Sequence, residues 1–505
     1  MNQSTGPGWW ENGISDRRIS KSGFFAGLQC PKLLWCRYNA RQLFPPVDAL
    51  TQSAFDQGHG VGRLARTLYL GGREVVDGQS DLDHALRETR QAVLERRPLF
   101  EPAFAYSGGL ARIDILNPIG RDDWELVEVK SEVEMKGLNL QDVAFQAFIP
   151  AGSGLRVRRC TLMHLDRTYV RRGVLDPTRL FLRRDVTPQA TELSRSIENG
   201  LEEMLRTVGQ WTCPETAIGA HCDDPFQCPL RDRCWAFLPE HSVLDLYRGK
   251  KRGFELLRRG FSRILDIPEA EPLTGIQKVQ KQAILEGRPH VEREPIRRFL
   301  KQVRFPAYFL DFETFQTALP PYEGTRPWQQ IPFQFSLHVL PGLEAELEHH
   351  MFLAEGAQDP RPQFLGRLQD LLGSSGSIVA YNAQFERRVL RECCDHLPDY
   401  ADSLQEIEKR FVDLLIPFKA FRYYHPAQRG SASMKAVLPA LVGDSYGGLE
   451  IQEGGTASLE FCRVTFGSVS KAEKARVRRS LEEYCSQDTM GMGKIVRALR
   501  ELCAQ

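Results

Sequence analysis

Two runs of this chain place chemically useful side chains where extended backbone would aim them at one point. In Trp124-Glu125-Leu126-Val127-Glu128-Val129-Lys130 the side chains alternate between two faces, so Glu128 and Lys130 point the same way. The run before it, Ala111 to Leu116, offers Asp114 on a neighbouring strand after a turn containing Asn-Pro and Gly. Two carboxylates converging in this way are hard oxygen ligands for Mg²⁺ or Mn²⁺, and a nearby ammonium can position a water or offset developing charge. That is the chemistry of phosphodiester hydrolysis, with Asp114 and Glu128 as metal ligands and Lys130 assisting the water.

A second set lies in the C-terminal half. Ala307 to Thr314 reads as an apolar strand that presents Asp311 and Glu313 on one face, and buried strands rarely carry two acids so placed without a compensating cation. Phe333 to Leu340 can pair beside it. Ile378 to Asn382 is a third strand leading into a helix that carries Phe385 and Glu386, and the last long helix holds Tyr484 and Asp488, four residues apart and therefore on one face. Asp311, Glu313, Glu386 and Asp488 suit a pair of divalent ions about 3.5–4 Å apart for in-line attack on a phosphodiester, with Tyr484 orienting the water.

The chain as a whole sets the frame for these sites. At 505 residues it exceeds one core and predicts roughly two to four domains. A formal net charge of +1 gives no global basic field, so nucleic acid would have to be met by local patches: Arg171-Arg172, Arg183-Arg184, Lys250 to Arg252 with Arg258-Arg259, and Arg476 to Arg479. The polar N-terminal residues and the lack of an apolar run of ~18 residues predict a cytosolic chain with no membrane partner. Its twelve cysteines are then expected reduced. Cys222, Cys228 and Cys234 follow at equal spacing in a loop-rich stretch, where thiolates can surround a metal. Cys30, at a Cys-Pro step that starts a helix, is the best fourth ligand by type, with Cys36 and Cys213 as alternatives.

The pattern along the chain is α/β in two parts. Residues 1–240 read as mixed helix and strand: a helix with Leu64, Ala65, Leu68 and Tyr69 after Gly58 to Gly62, another over 81–95, the two acid-bearing strands, a helix over 138–148, and a strand over 160–165. Residues 241–300 read as a charged helical connector broken at Gly253 and Gly260, and 301–505 as a second α/β unit. Tyr322 and Trp328, in a Pro-rich loop, offer either base stacking or loop packing.

These motifs resemble two nuclease families. Residues 301–505 resemble the DnaQ-like 3′-5′ exonucleases of the ribonuclease H fold, in the subgroup whose last motif is Tyr-x-x-x-Asp; Asp311 and Glu313 match the first motif, Tyr484 and Asp488 the last, and Glu386 stands where the family usually has Asp. Residues from about 20 to 240 resemble RecB-type nucleases of the PD-(D/E)xK fold, in the branch with an iron-sulfur cluster that includes the CRISPR adaptation nuclease. Asp114, Glu128 and Lys130 match that core, Gln146 falls at its helical Gln motif, and Cys30 with Cys222, Cys228 and Cys234 match its split ligand arrangement. Gly62 stands where its metal-binding His is expected, with His59 nearby. The resemblance implies a bacterial two-nuclease protein, dependent on Mg²⁺ or Mn²⁺, that acts on DNA single strands or ends in repair, recombination or defence. It also implies a [4Fe-4S] cluster, with four-thiolate Zn²⁺ as the rival. Two alternatives stand beside it: a nucleic-acid-binding scaffold with one or both sites inactive, and an exonuclease that processes RNA.

Overall fold

The computed structural model describes residues 18–75, 81–343 and 345–504. It is a mixed α/β structure in two units, one formed by Met1–Ala236 with Thr317–Trp328, the other by Phe237–Gln316 with Gln329–Gln505.

The first unit is built on a six-stranded sheet in the order Arg73–Glu74, Leu99–Phe100, Ile115–Ile119, Asp123–Lys130, Val157–Leu165, Phe181–Asp185. Asp123–Lys130 runs antiparallel to Ile115–Ile119 and parallel to Val157–Leu165, which buries it on both sides. The run 111–116, expected as one strand, is two. Gly109–Arg112 belongs to a three-stranded sheet with Ile19–Ser20 and Ala103–Tyr106, and the chain changes sheets at Ile113 and Asp114. The bend is fixed from the other side: Ile113 N donates to Pro102 O at 3.1 Å, and the backbone of Glu101 turns left-handed (φ 55) there. Asp114 is thus delivered by the seam between two sheets, not by strand alternation.

Helices cover this framework where apolar faces demand it. Gly137–Gly152 buries Val143, Ala144, Phe145 and Ile149 in one core with Phe24, Leu126 and Leu201. The helix expected after Gly62 instead spans Ala49–Arg66, so Gly58, Gly60 and Gly62 lie inside it, and Leu68 and Tyr69 lie beyond its end. Each internal glycine costs about 1 kcal/mol against alanine. The helix persists because Asp48 caps it, accepting from Thr51 N at 2.7 Å, and because Val61 and Ala65 are buried on the sheet. The loop Thr317–Trp328 is bound to this unit: Ala318 N donates to Gln57 Oε1 at 2.7 Å, Arg171 Nη1 to Pro321 O at 2.6 Å, and the Trp328 indole to Ser131 O at 2.6 Å. Trp328 therefore packs the loop.

The second unit carries a five-stranded sheet in the order Glu348–Leu353, Ile331–Leu340, Ala307–Phe315, Ser377–Ala380, Phe411–Asp413. Ala307–Phe315 is antiparallel to Ile331–Leu340 and parallel to Ser377–Ala380. Alternation divides its side chains. Tyr308, Leu310 and Phe312 join a core with Phe364, Leu368, Val389 and Leu404, whereas Phe309, Asp311, Glu313 and Phe315 take the opposite face, beneath helices Gly454–Phe466 and Lys471–Ala504. Residues 241–300, read from the sequence as a connector, pack within this unit. His290–Val291 pairs with Tyr423–Tyr424, and the rings of Tyr247 and Phe421 lie 4.8 Å apart. Among the described residues no helix is long and apolar enough to cross a membrane.

Candidate functional site

In the first unit, strand Asp123–Lys130 and helix Gly137–Gly152 bring Glu128, Lys130 and Gln146 together. Lys130 Nζ lies 2.8 Å from Glu128 Oε1 and 2.5 Å from Asp142 Oδ2, and Gln146 Nε2 donates to Glu128 Oε2 at 2.5 Å and to Asp142 Oδ1 at 2.8 Å. Asp114 accepts from Val129 N at 2.7 Å, one residue from Glu128, so the expected set converges. Gln146 is fully buried, yet its Oε1 has no hydrogen-bond partner.

Three further groups complete this centre, and none was singled out from the sequence for a role. Lys21, in the first turn of helix Lys21–Gln29, reaches Glu128 Oε1 at 2.9 Å and Asp142 Oδ2 at 3.4 Å. Asp142 lies one turn before Gln146 and is 2 % exposed. Glu101, in the left-handed bend, pairs with Arg66 at 2.6 Å and repels Asp114. The electrostatics follow from this crowding. Burial pushes Asp114 up to about 8, reinforced by the charge of Glu128. Burial also acts on Glu128, but Lys21 and Lys130 override it and hold that carboxylate well below its ordinary range. Burial alone would lower the two ammoniums; Glu128 and Asp142 raise both. Gly62 leaves open space where a side chain would stand, and His59 is exposed on the same helix.

The second unit has the opposite balance. Asp311 and Glu313 lie on the covered face of Ala307–Phe315, at a bulge between Glu313 and Thr314 that re-aims the strand end. Together with the Cys485 thiol they form, among the described residues, the group of three whose ligand atoms all lie within 4.8 Å of one another. Glu386, in the first turn of helix Gln384–Cys394, and Asp488, on Lys471–Ala504, add their charge to this pair. Burial raises all four carboxyls: Asp311 well above its usual value, with Asp488, Glu313 and Glu386 reinforcing it, Glu313 and Glu386 to about 8, and Asp488 to about 6. Lys435 offsets the charge of Glu313 and Asp488 from an exposed position, its Nζ 5.9 Å from the Tyr446 ring and 6.0 Å from the Tyr484 ring. Glu386 Oε2 is buried with no hydrogen-bond partner.

Tyr484 is buried beside Asp488, but the hydroxyl that donates to Asp488 Oδ1, at 2.5 Å, is that of Tyr446. Tyr446 belongs to a turn with no periodic pattern, so nothing local in the sequence marks it. This donor set could hold a cation: clustered acids, one exposed ammonium and an orphaned carboxylate oxygen would leave negative charge that low-dielectric surroundings do not tolerate unpaired.

Six of the twelve cysteines gather in the first unit. Cys30 ends helix Lys21–Gln29 and begins Pro31–Asn39, with Pro31 at the first helical position. Cys30, Cys222, Cys228 and Cys234 line one enclosed cavity with Leu33 and Ile218, and Gln29 clamps the loop by donating to His221 O at 2.8 Å and Phe226 O at 2.7 Å. Burial pushes the Cys228 thiol up to about 11 and raises Cys234. Cys36 and Cys213 form a separate pair, sulfur to sulfur 3.9 Å. No three of the six thiols approach within 4.8 Å of one another.

Comparison with known families adds one finding. Residues 308–433 match the family described as "Domain of unknown function (DUF2779)", a span that includes Asp311, Glu313 and Glu386 and ends before Lys435, Tyr446, Tyr484 and Asp488. No curated protein matches the chain.

Proposed function

We propose that this protein is a divalent-metal-dependent nuclease acting on DNA single strands or ends, with its principal hydrolytic centre in the second unit. One observation carries the reading: four carboxyls, Glu313 and Glu386 buried and Asp311 and Asp488 half-buried, share one region with Lys435 as the ammonium nearby, and Glu386 Oε2 has no partner. Mg²⁺ or Mn²⁺ held there would polarise a phosphodiester and acidify a water. Asp311, Glu313 and Asp488 are the ligands of this proposal, and Glu386 completes the set. Tyr446 fixes Asp488 in one rotamer, and Tyr484 with Lys435 lines the approach. The arrangement supports the resemblance to DnaQ-like exonucleases of the ribonuclease H fold, with Glu386 in place of the shorter acid.

The first unit supports a RecB-type PD-(D/E)xK centre, in which Asp114 and Glu128 bind metal, Lys130 assists the water and Gln146 orients Glu128. A second reading applies to this unit alone. Lys21 and Lys130 already neutralise Glu128 and Asp142, which favours a nucleic-acid-binding role for it without hydrolysis. For the thiols, a tetrahedral Zn²⁺ with Zn–S bonds of about 2.3 Å would draw the sulfurs to about 3.8 Å from one another. Cys30, Cys222, Cys228 and Cys234 around one cavity suit four-thiolate binding of either centre, and the resemblance to the iron-sulfur branch of RecB-type nucleases favours a [4Fe-4S] cluster.

Digestion of end-labelled single- and double-stranded DNA tests the proposal, using wild type, Asp311→Asn and Lys130→Ala with Mg²⁺, Mn²⁺ or EDTA. Metal-dependent loss of label that Asp311→Asn abolishes is the expected result. If only Lys130→Ala abolishes it, the principal centre is the first unit's; no digestion by wild type with either metal leaves the binding scaffold. RNA competitors in the same assay decide between the two polymers.

A further inference from the structure

We propose that a groove on the second unit, running from the Tyr381-Asn382 turn onto the 241–300 segment, binds an unpaired nucleic-acid strand. The inference rests on the nuclease reading and names the path of its substrate. Two open cavities of about 480 and 650 Å³ adjoin, with Tyr247, Arg248 and Lys419 lining both. The inner cavity is lined by Tyr381, Asn382 and Met434, which sets it against the turn four residues before Glu386 and the helix start that carries Lys435. The outer cavity extends to Thr274, at the start of helix Gly275–Glu286.

The lining has the two properties a single strand needs. Arg248 and Lys419 are exposed, and among the described residues neither is joined to a carboxylate, so both charges can meet phosphates. Tyr247, beside Phe421 and under the Arg248 guanidinium, and Tyr381, backed by Phe418 and held by its hydroxyl donating to Ala432 O at 2.7 Å, are half-buried rings at the groove. Stacking on such rings is sequence-tolerant and open only to unpaired bases, since a duplex keeps its base faces covered.

The loop that carries Tyr247 and Arg248 is held in place. Tyr247 N donates to Gln280 Oε1 at 2.9 Å, Gln277 Nε2 donates to Tyr247 O at 3.1 Å, and Gln280 is fully buried. Arg248 sits in the left-handed region (φ 50), a strained conformation for a residue with a side chain, and it is there that the guanidinium turns outward over the Tyr247 ring at 5.4 Å.

The test is fluorescence anisotropy of a labelled oligodeoxythymidine with the full-length protein in EDTA, where no cleavage intervenes. The charge reversal Arg248→Glu/Lys419→Glu is expected to weaken binding tenfold or more and to make the slope of log K against log salt shallower by about 1.4, two phosphate contacts at about 0.7 each for single strands. Arg248→Ala/Lys419→Ala, which adds no repulsion, is expected to give the same change in slope, and Lys301→Glu to leave it unchanged. Equal affinity and slope in wild type and both double variants overturns the groove, as does preferential binding of duplex or of an acidic peptide that competes with the oligonucleotide. A wild type that binds no oligonucleotide and digests none instead removes the nuclease reading on which the groove depends.

Discussion

Replacing Glu386 by Gln tests the charge imbalance of the second unit without altering its shape. Glu386 is 2 % exposed, and burial, helped by Asp413, pushes its carboxyl up to about 8 from an ordinary value of 4.5. The folded state therefore holds a proton that the unfolded state releases between these two values. Stability contributed by that proton is complete below pH ~4.5 and declines as pH rises through the folded value. At about 1.4 kcal/mol per pH unit, the gap from 4.5 to about 8 is worth about 5 kcal/mol, of which about 3 falls between pH ~5.5 and ~8. The assay is urea unfolding in EDTA of wild type and Glu386→Gln at these two pH values. Taking the difference between the proteins cancels the titrating acids that do not sense the charge of Glu386, leaving Glu386 itself and its coupling to Asp311 and Glu313. The variant is expected to gain about 3 kcal/mol on wild type across that interval, and saturating Mg²⁺ to restore wild type but not the variant at the higher pH. A difference that stays constant with pH would refute the argument that Glu386 is a buried, uncompensated acid.

Three other outcomes follow from the geometry. Lys21→Met removes an ammonium from Glu128 and Asp142; it should destabilise the metal-free protein by about 1–3 kcal/mol, less than a fully buried pair because the Lys21 side chain is 37 % exposed, and it should tighten Mn²⁺ binding by calorimetry. Unchanged Mn²⁺ affinity in a protein that binds the ion would mean that Lys21 does not compete with it. Tyr446→Phe deletes the hydrogen bond that lowers Asp488; a bond to a charged group is worth about 1.5–3 kcal/mol, so the acidic limb of the pH–rate profile should move up by about 1–2 pH units. A limb that does not move would place Asp488 outside the rate-governing ionisations. Under anaerobic purification Cys30→Ser and Cys222→Ser should lose the brown colour of an iron-sulfur centre while Cys213→Ser keeps it, because Cys213 pairs with Cys36; a colourless Cys213→Ser protein would reassign the ligands.

The sequence was legible where short-range periodicity decides direction. Alternation placed Glu128 with Lys130 and Asp311 with Glu313, and helical spacing put Tyr484 on the face of Asp488, because each pair depends only on the backbone between its members. It was illegible where the chain returns from a distance. Lys21 reaches Glu128 across 107 residues and Tyr446 reaches Asp488 across 42, each from a helix start or turn whose local pattern is ordinary. The strand expected through Asp114 failed for a related reason: the chain changes partners at Ile113, and a switch between sheets leaves no mark in the alternation. The helix Ala49–Arg66 was read short because three glycines argue against helix locally, while the burial of Val61 and Ala65 that outweighs them is tertiary. Residues 241–300 read as a connector since their anchors, Gln277 and Gln280, are polar side chains that bind backbone in the interior.

The chain crosses between its two units three times, after Ala236, after Gln316 and after Trp328. A stop codon or a protease acting at the first crossing would not release an intact N-terminal half, since that half would lose the twelve-residue loop whose indole is bound to Ser131. The remaining fragment would carry the same loop without its bed, exposing Ala318, Leu319 and Trp328 to water. Gene fission or domain shuffling at this boundary therefore strips packing from both products.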